Sequence, residues 1–214
     1  MMRSLTRFPG RLALLSLIVA VLLAGCIGQA LDRPAPERRF YTIAAARPQS
    51  APPSQARTVL KVRPLRISPA YQDREMVYRM DDTRYVSDYY NAFFTLPATT
   101  LTQLTQDWLG RSGIFGNVVN ATSMVVDTHL LEGMVNTLHA DFRDQASPKA
   151  VLAIQFFLLQ NKNGDYSVTF SKNYQREIPF TPGADAAGAL TEAYGKALAE
   201  ILGELETDLR AVVK

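Results

Sequence analysis

Ala150-Val151-Leu152-Ala153-Ile154-Gln155-Phe156-Phe157-Leu158-Leu159-Gln160, followed by Asn163-Gly164 and then by Tyr166 to Arg176, spells a β-hairpin. Asn-Gly is the preferred centre of a tight type I′ turn, whose twist matches that of the flanking strands. The first arm is apolar at nearly every position, as a central strand buried on both faces should be. In the second arm Tyr166, Val168 and Phe170 alternate with Ser167, Thr169 and Ser171. Successive strand residues point to opposite faces, so this arm is predicted to present one face to the core and one to solvent.

Downstream of the hairpin the period changes. Leu190, Tyr194, Leu198, Ile201, Leu205, Leu209 and Val212 recur every three or four residues from Asp185 onward, the pattern of a long amphipathic helix. Gly195, Ala199 and Gly203 form a second stripe at four-residue spacing. An interior helix glycine costs about 1 kcal/mol relative to alanine, so the stripe implies close approach. It packs either on the domain's own sheet or against another subunit.

Upstream, Pro97 to Arg111 reads as a helix. Pro97 suits a first turn, and Leu101, Leu104 and Trp108 follow at helical spacing. Thr58–Ile67 is a predicted strand with Pro64 marking an edge or a bulge. Met76–Met80 and Arg84–Ser87 flank Asp81-Asp82, a predicted turn, and further strands are expected near Phe115–Val119 and Thr128–Phe142. Arg39-Phe40-Tyr41-Thr42-Ile43 reads as a short edge strand. The expected fold is α+β: a single domain with a mostly antiparallel mixed sheet and two helices packed on one face.

The amino terminus has a different character. Arg3, Arg7 and Arg11 precede a nearly unbroken apolar run, Leu12–Ala24, and Leu23-Ala24-Gly25-Cys26 follows at its end. This is the basic, apolar and small-residue order of a bacterial export signal. It ends in a lipobox, with cleavage between Gly25 and Cys26 and diacylglycerol attached to Cys26. As a helix the 13 residues of the run would rise only about 20 Å, short of the ~30 Å hydrocarbon core of a bilayer. Cys26 is the single cysteine of the 214 residues. Ile27 follows it rather than the Asp that retains lipoproteins in the inner membrane of enteric-type bacteria, so outer-membrane placement facing the periplasm is expected.

The division is therefore residues 1–25 as signal, 26–57 as lipidated tether with one edge strand, and 58–214 as the periplasmic domain. Pro34, Pro36 and the run from Arg47 to Arg57, with three further prolines, favour extended, solvated chain. Removing residues 1–25 takes three of the 23 basic side chains and no acid, so basic and acidic residues then balance at 20 each. The basicity belongs to the leader, and nucleic-acid binding is not expected.

Catalytic constellations are sparse. The chain carries no G-x-S-x-G elbow, P-loop, H-E-x-x-H or dinucleotide fingerprint. His129 and His139 would lie about 33 Å apart on one strand, at ~3.3 Å per residue, and are expected at the surface. Neither a catalytic role, a metal nor a cofactor is expected. The densest aromatic cluster is Tyr85, Tyr89, Tyr90, Phe93 and Phe94. Some of these rings are expected to pack helix on sheet, and the outward ones to form a partner interface, where aromatic residues are enriched.

Several segments, taken in order, resemble the ABC-type transport auxiliary lipoproteins of the paraquat-inducible protein C type. They are Arg39-Phe40-Tyr41-Thr42-Ile43, Leu60-Lys61-Val62-Arg63-Pro64-Leu65, and Asp73-Arg74-Glu75-Met76-Val77-Tyr78-Arg79. Tyr89-Tyr90-Asn91-Ala92-Phe93-Phe94, Trp108-Leu109-Gly110-Arg111-Ser112-Gly113-Ile114-Phe115 and Leu131-Glu132-Gly133 continue the match. The resemblance spans most of residues 39–210. Phe93-Phe94 stands where many relatives carry Trp before the helix. The resemblance implies a non-catalytic docking subunit beside an MCE-domain (mammalian cell entry) lipid transporter with its ABC permease and ATPase. It implies self-association as well. Two other readings stay open: an assembly factor for lipopolysaccharide or β-barrels, and a lipid-binding carrier or hydrolase.

Overall fold

A computed structural model describes residues 37–49, 51–52 and 57–213. Gly25, Cys26 and half of the predicted tether lie outside them. Nine strands form one sheet: β1 Arg39–Tyr41, β2 Val59–Val62, β3 Arg66–Ile67, β4 Glu75–Arg79, β5 Tyr85–Phe93, β6 Asn117–Asn120, β7 His129–Asp141, β8 Lys149–Lys162 and β9 Asp165–Pro179. Two helices, α1 Pro97–Gly110 and α2 Ala186–Val212, complete the domain.

The hairpin forms as its sequence spells. Lys162 pairs with Asp165, and both Asn163 (φ 57°) and Gly164 (φ 98°) take the left-handed conformation of a type I′ turn. The free edge of β8 pairs antiparallel with β7 along that strand's full length. The other edge of β7 is shared in chain order by β2, β3 and β4, all parallel to it. A single strand over Thr58–Ile67 does not form. Pro64 and Pro69 lack the N–H that a ladder needs, so pairing stops at each and resumes between them. Arg63 N donates to Leu131 O at 3.0 Å, and Ser68 N to Val135 O at 2.9 Å. The parallel pairings each run two to four residues, whereas the β7–β8–β9 ladders carry most of the antiparallel length.

Both helices cover one face. From α2, Leu190, Tyr194, Leu198, Ile201, Leu205 and Leu209 are buried, and Ala150, Leu152, Ile154, Phe156 and Leu158 of β8 belong to the same core. From α1, Leu101, Trp108 and Leu109 join it. Each large apolar side chain so buried stabilises the fold by about 1.5–3 kcal/mol before the entropy of ordering it. Along the rim, Lys172 of β9 donates to Glu204 and Asp208 of α2, both at 2.8 Å.

The alternation of β9 is not carried through. Leu158 pairs with Phe170 but Leu159 pairs with Val168, so Thr169 is an extra residue in the ladder. A bulge of one residue reverses the faces beyond it. Phe170 turns toward the helices half-buried, while Val168 and Tyr166 stand exposed on the opposite face.

The small-residue stripe of α2 has a partner other than the sheet. A Cβ on Gly195 would lie 2.2 Å from the carbonyl oxygen of Ala44, in the segment that follows β1. Gly203 meets only the Trp108 ring, at 3.9 Å. The segment after β1 straps α2 and is tied down by Arg47, whose guanidinium donates twice to Glu206 at 3.0 and 2.9 Å. Trp108 Nε1 donates to the same carboxylate at 3.0 Å. Gly195→Ala should therefore cost about 1–3 kcal/mol through overpacking against backbone. Gly203→Ala should add up to about 1 kcal/mol from helix propensity. Urea unfolding midpoints of the two variants, moving in opposite directions, check this.

Candidate interaction surface

Strand β5 is antiparallel to β4 on one side and parallel to β1 on the other. Its ladder with β4 is interrupted. Met76 faces Asp88 while the preceding Glu75 faces Ala92, so Tyr89, Tyr90 and Asn91 have no counterpart on β4. The Asp88 carboxylate holds this bulge in shape. It accepts the backbone N–H of Tyr90 (2.9 Å) and of Asn91 (3.1 Å), the Asn91 amide (2.8 Å) and the Tyr78 hydroxyl (2.7 Å). Burial raises the Asp88 pKa, but these hydrogen bonds outweigh it and hold the carboxyl below its usual range.

The bulge displays aromatic side chains. Tyr89 is 68 % exposed and Phe94 65 %, with Phe40 and Tyr90 about half exposed. Tyr89 and Tyr90 meet edge to face at 5.3 Å. The Arg38 guanidinium lies 5.3 Å from the Tyr89 ring centre and 5.7 Å from that of Phe40. Arg74 covers Phe40 at 4.8 Å and donates through Nε to Phe93 O at 2.9 Å. The result is an exposed aromatic surface interleaved with arginines, a composition enriched where proteins meet partners.

Of the five aromatic residues predicted as an interface, Phe93 does not belong. It is 4 % exposed and packs 6.2 Å from the Tyr194 ring of α2. Tyr85 has a double role: it is 45 % exposed, and its ring also stands edge-on to His139 at 5.7 Å. Phe40, Arg38, Arg74 and Asp88 complete the surface and were not singled out by sequence. The signal for the last was present, since an Asp two and three residues before free backbone N–H groups is an Asx turn that interrupts a strand.

The histidines are likewise corrected. Both are buried, and on opposite faces, because Asn136 is an extra residue in the β7 ladder: His129 faces Gln160 and His139 faces Val151. Segments distant in sequence cover them. Phe115 lies 5.8 Å from His129, and the Tyr71 hydroxyl reaches His139 Nδ1 at 3.2 Å. Burial pushes His139 down to about 4, so its ring is neutral at neutral pH. Among the described residues no three His, Cys, Asp or Glu side chains converge as metal ligands.

A second apolar surface lies at the other end of β7. In the loop joining β6 to β7, Met124, Val125 and Val126 are exposed, Met124 by 96 %. Below them buried Asp127 pairs with Lys61 Nζ at 3.0 Å and accepts from the Tyr166 hydroxyl at 3.0 Å. Of the clefts open at the surface, two adjoin α2. One, of about 470 Å³, runs between the strap and α2 past Ala44, Gly195 and Ala199. The other, of about 260 Å³, lies at the start of α2 among Tyr78, Asp88, Phe142 and Asp185.

No protein-family model and no curated protein matches the chain. Solved structures do resemble it. A Xanthomonas campestris protein of the DUF330 family superposes with a TM-score of 0.63 at 16 % identity, over 81 % of this chain and 94 % of that one. An uncharacterized protein gives 0.57, also at 16 % identity, over 83 % and 99 % respectively. The chain shares their α+β fold.

Asp88→Ala should loosen the aromatic surface and cost about 1–2 kcal/mol by leaving its donors without an acceptor. A depressed carboxyl stabilises the fold above its unfolded pKa, about 3.9, and loses that contribution as pH falls through the folded value. The stability gap between wild type and variant should thus be constant above pH ~5 and narrow below ~4. Thermal melts across pH 3–7 measure it.

Proposed function

We propose that this chain is a lipid-anchored, non-catalytic accessory subunit of an MCE-type ABC transport system that moves lipid between the inner and outer membranes. Acyl chains on Cys26 hold it at the outer membrane with the domain in the periplasm. The exposed face built from Tyr85, Tyr89, Tyr90 and Phe94, extended by Phe40, docks the MCE-domain protein. The observation that carries the reading is the Asp88-pinned bulge, beside which large aromatic rings stand exposed. Such rings are costly to expose unless something covers them. The order of family-like segments through residues 39–210 supports an MCE-domain partner, and the lipobox supports the anchor.

The clefts favour docking over carriage. A carrier needs an enclosed apolar cavity sized to a lipid, whereas both clefts described above are open and the space between helices and sheet is filled by side chains.

Affinity capture from envelope membranes should recover the MCE-domain protein with the wild type. Tyr89→Ala combined with Phe94→Ala should lower recovery roughly ten-fold or more while leaving the melting temperature unchanged. Phe93→Ala should instead destabilise the domain by about 3–5 kcal/mol, as a core deletion. Recovery unaffected by the surface pair would overturn the docking reading. Radiolabelled palmitate should mark the wild type and leave Cys26→Ser unlabelled.

A further inference from the structure

The β6–β7 loop carries apolar side chains that the docking surface leaves unexplained. Met124, Val125 and Val126 are 96, 49 and 80 % exposed at its tip, and no charged residue occurs from Asn117 to Val126. The loop is also braced. Asn120 Oδ1 accepts from the Thr122 backbone N–H and hydroxyl at 3.1 and 2.8 Å, and Ser123 N donates to Asn120 O at 3.2 Å. At its base, Asn161 Nδ2 donates to Asp127 O at 3.0 Å, and the Lys61 and Tyr166 contacts lock the Asp127 carboxylate. Polar groups at the base are thus occupied, and three aliphatic side chains are held away from the body of the domain. Tyr166, 45 % exposed, and Val168, 59 % exposed, stand on the neighbouring strand face.

We propose that this loop tip, flanked by Tyr166, dips into the interfacial layer of a phospholipid bilayer and seats the domain on it. The proposal rests on the acyl anchor at Cys26 set out above. The length of chain upstream of the described residues fits it. Glu75 of β4 lies level with residue 137 of β7, and β1 lies beside that level through β5, seven ladder positions along β7 from His129 and the loop once the extra Asn136 is left out. At ~3.3 Å per residue this places β1 about 23 Å above the loop end. Glu37 lies eleven residue steps after Cys26, with prolines at 34 and 36. In extended polyproline-like form they reach about 34 Å at ~3.1 Å per residue. A tether fixed in the bilayer can therefore reach β1 while the loop touches the same bilayer. An uncharged aliphatic tip with a tyrosine beside it matches the chemistry of that layer, apolar below and polar at headgroup level.

The test uses the full acylated chain in phosphatidylethanolamine–phosphatidylglycerol vesicles. With Cys26 blocked by lipid, Met124→Cys provides the single thiol for a bimane label, and Asp82→Cys in the β4–β5 turn provides the control. Brominated acyl chains should quench the label at position 124 roughly two-fold or more and leave that at position 82 unchanged. Equal response at the two positions, or emission from position 124 typical of water, overturns the proposal; so does protection of position 124 that appears only when a partner protein is added. Intact-mass measurement reports on the anchor separately. A bare Cys26 thiol overturns the anchor reading alone, and the loop is then measured on Cys26→Ser protein held to nickel-chelating vesicles by a C-terminal His tag.

Discussion

Hydrogen bonding along both edges of β7 is the constraint from which the rest of the domain follows. One edge is given to β8 throughout, which brings the hairpin and, beyond it, α2 into place. The other edge is divided among β2, β3 and β4. Every element placed after these hangs from one of them: β6 from β2, β5 from β4, and β1 from β5. Gly133 lies within β7 where Leu65 comes down on the sheet, and a Cβ there would meet Leu65 Cδ2 at 2.5 Å. The segment between Pro64 and Pro69 can settle on the strand because that position has no side chain.

The parts of the fold that were legible are those where period and punctuation agree. Asn163-Gly164 between two β-rich arms admits one local solution, and the stripe from Leu190 to Leu209 admits one helical face. What escaped reading are insertions of one to three residues. Thr169 in β9, Asn136 in β7 and the three residues after Asp88 in β5 each reverse or interrupt an alternation that looks regular when written out. Their consequences are large because a one-residue slip moves every later side chain to the other face. Tyr166 and Val168 became exposed for this reason, and the two histidines separated onto opposite faces.

The candidate surface was half visible in the same way. Aromatic density around residues 85–94 marks the strand that displays the rings, but only geometry separates Phe93, turned against Tyr194, from Phe94, turned outward. The residue that organises the surface, Asp88, is itself neither aromatic nor exposed at the surface's centre. Its carboxylate replaces the ladder bonds that the bulge forfeits, so the backbone stays satisfied while the rings are displayed. Phe40 and Arg38 join from a strand distant in sequence, and that adjacency depends on the parallel pairing of β1 with β5.

The strap after β1 has a mechanical meaning. Tension transmitted along the polypeptide from its upstream end acts first on the three-residue pairing of β1 with β5. Next in series come Ala44, seated in the notch of Gly195, and the forked grip of Arg47 on Glu206. A pull strong enough to peel β1 is arrested at the fork, and the load reaches the helices before it can shear the sheet beneath them.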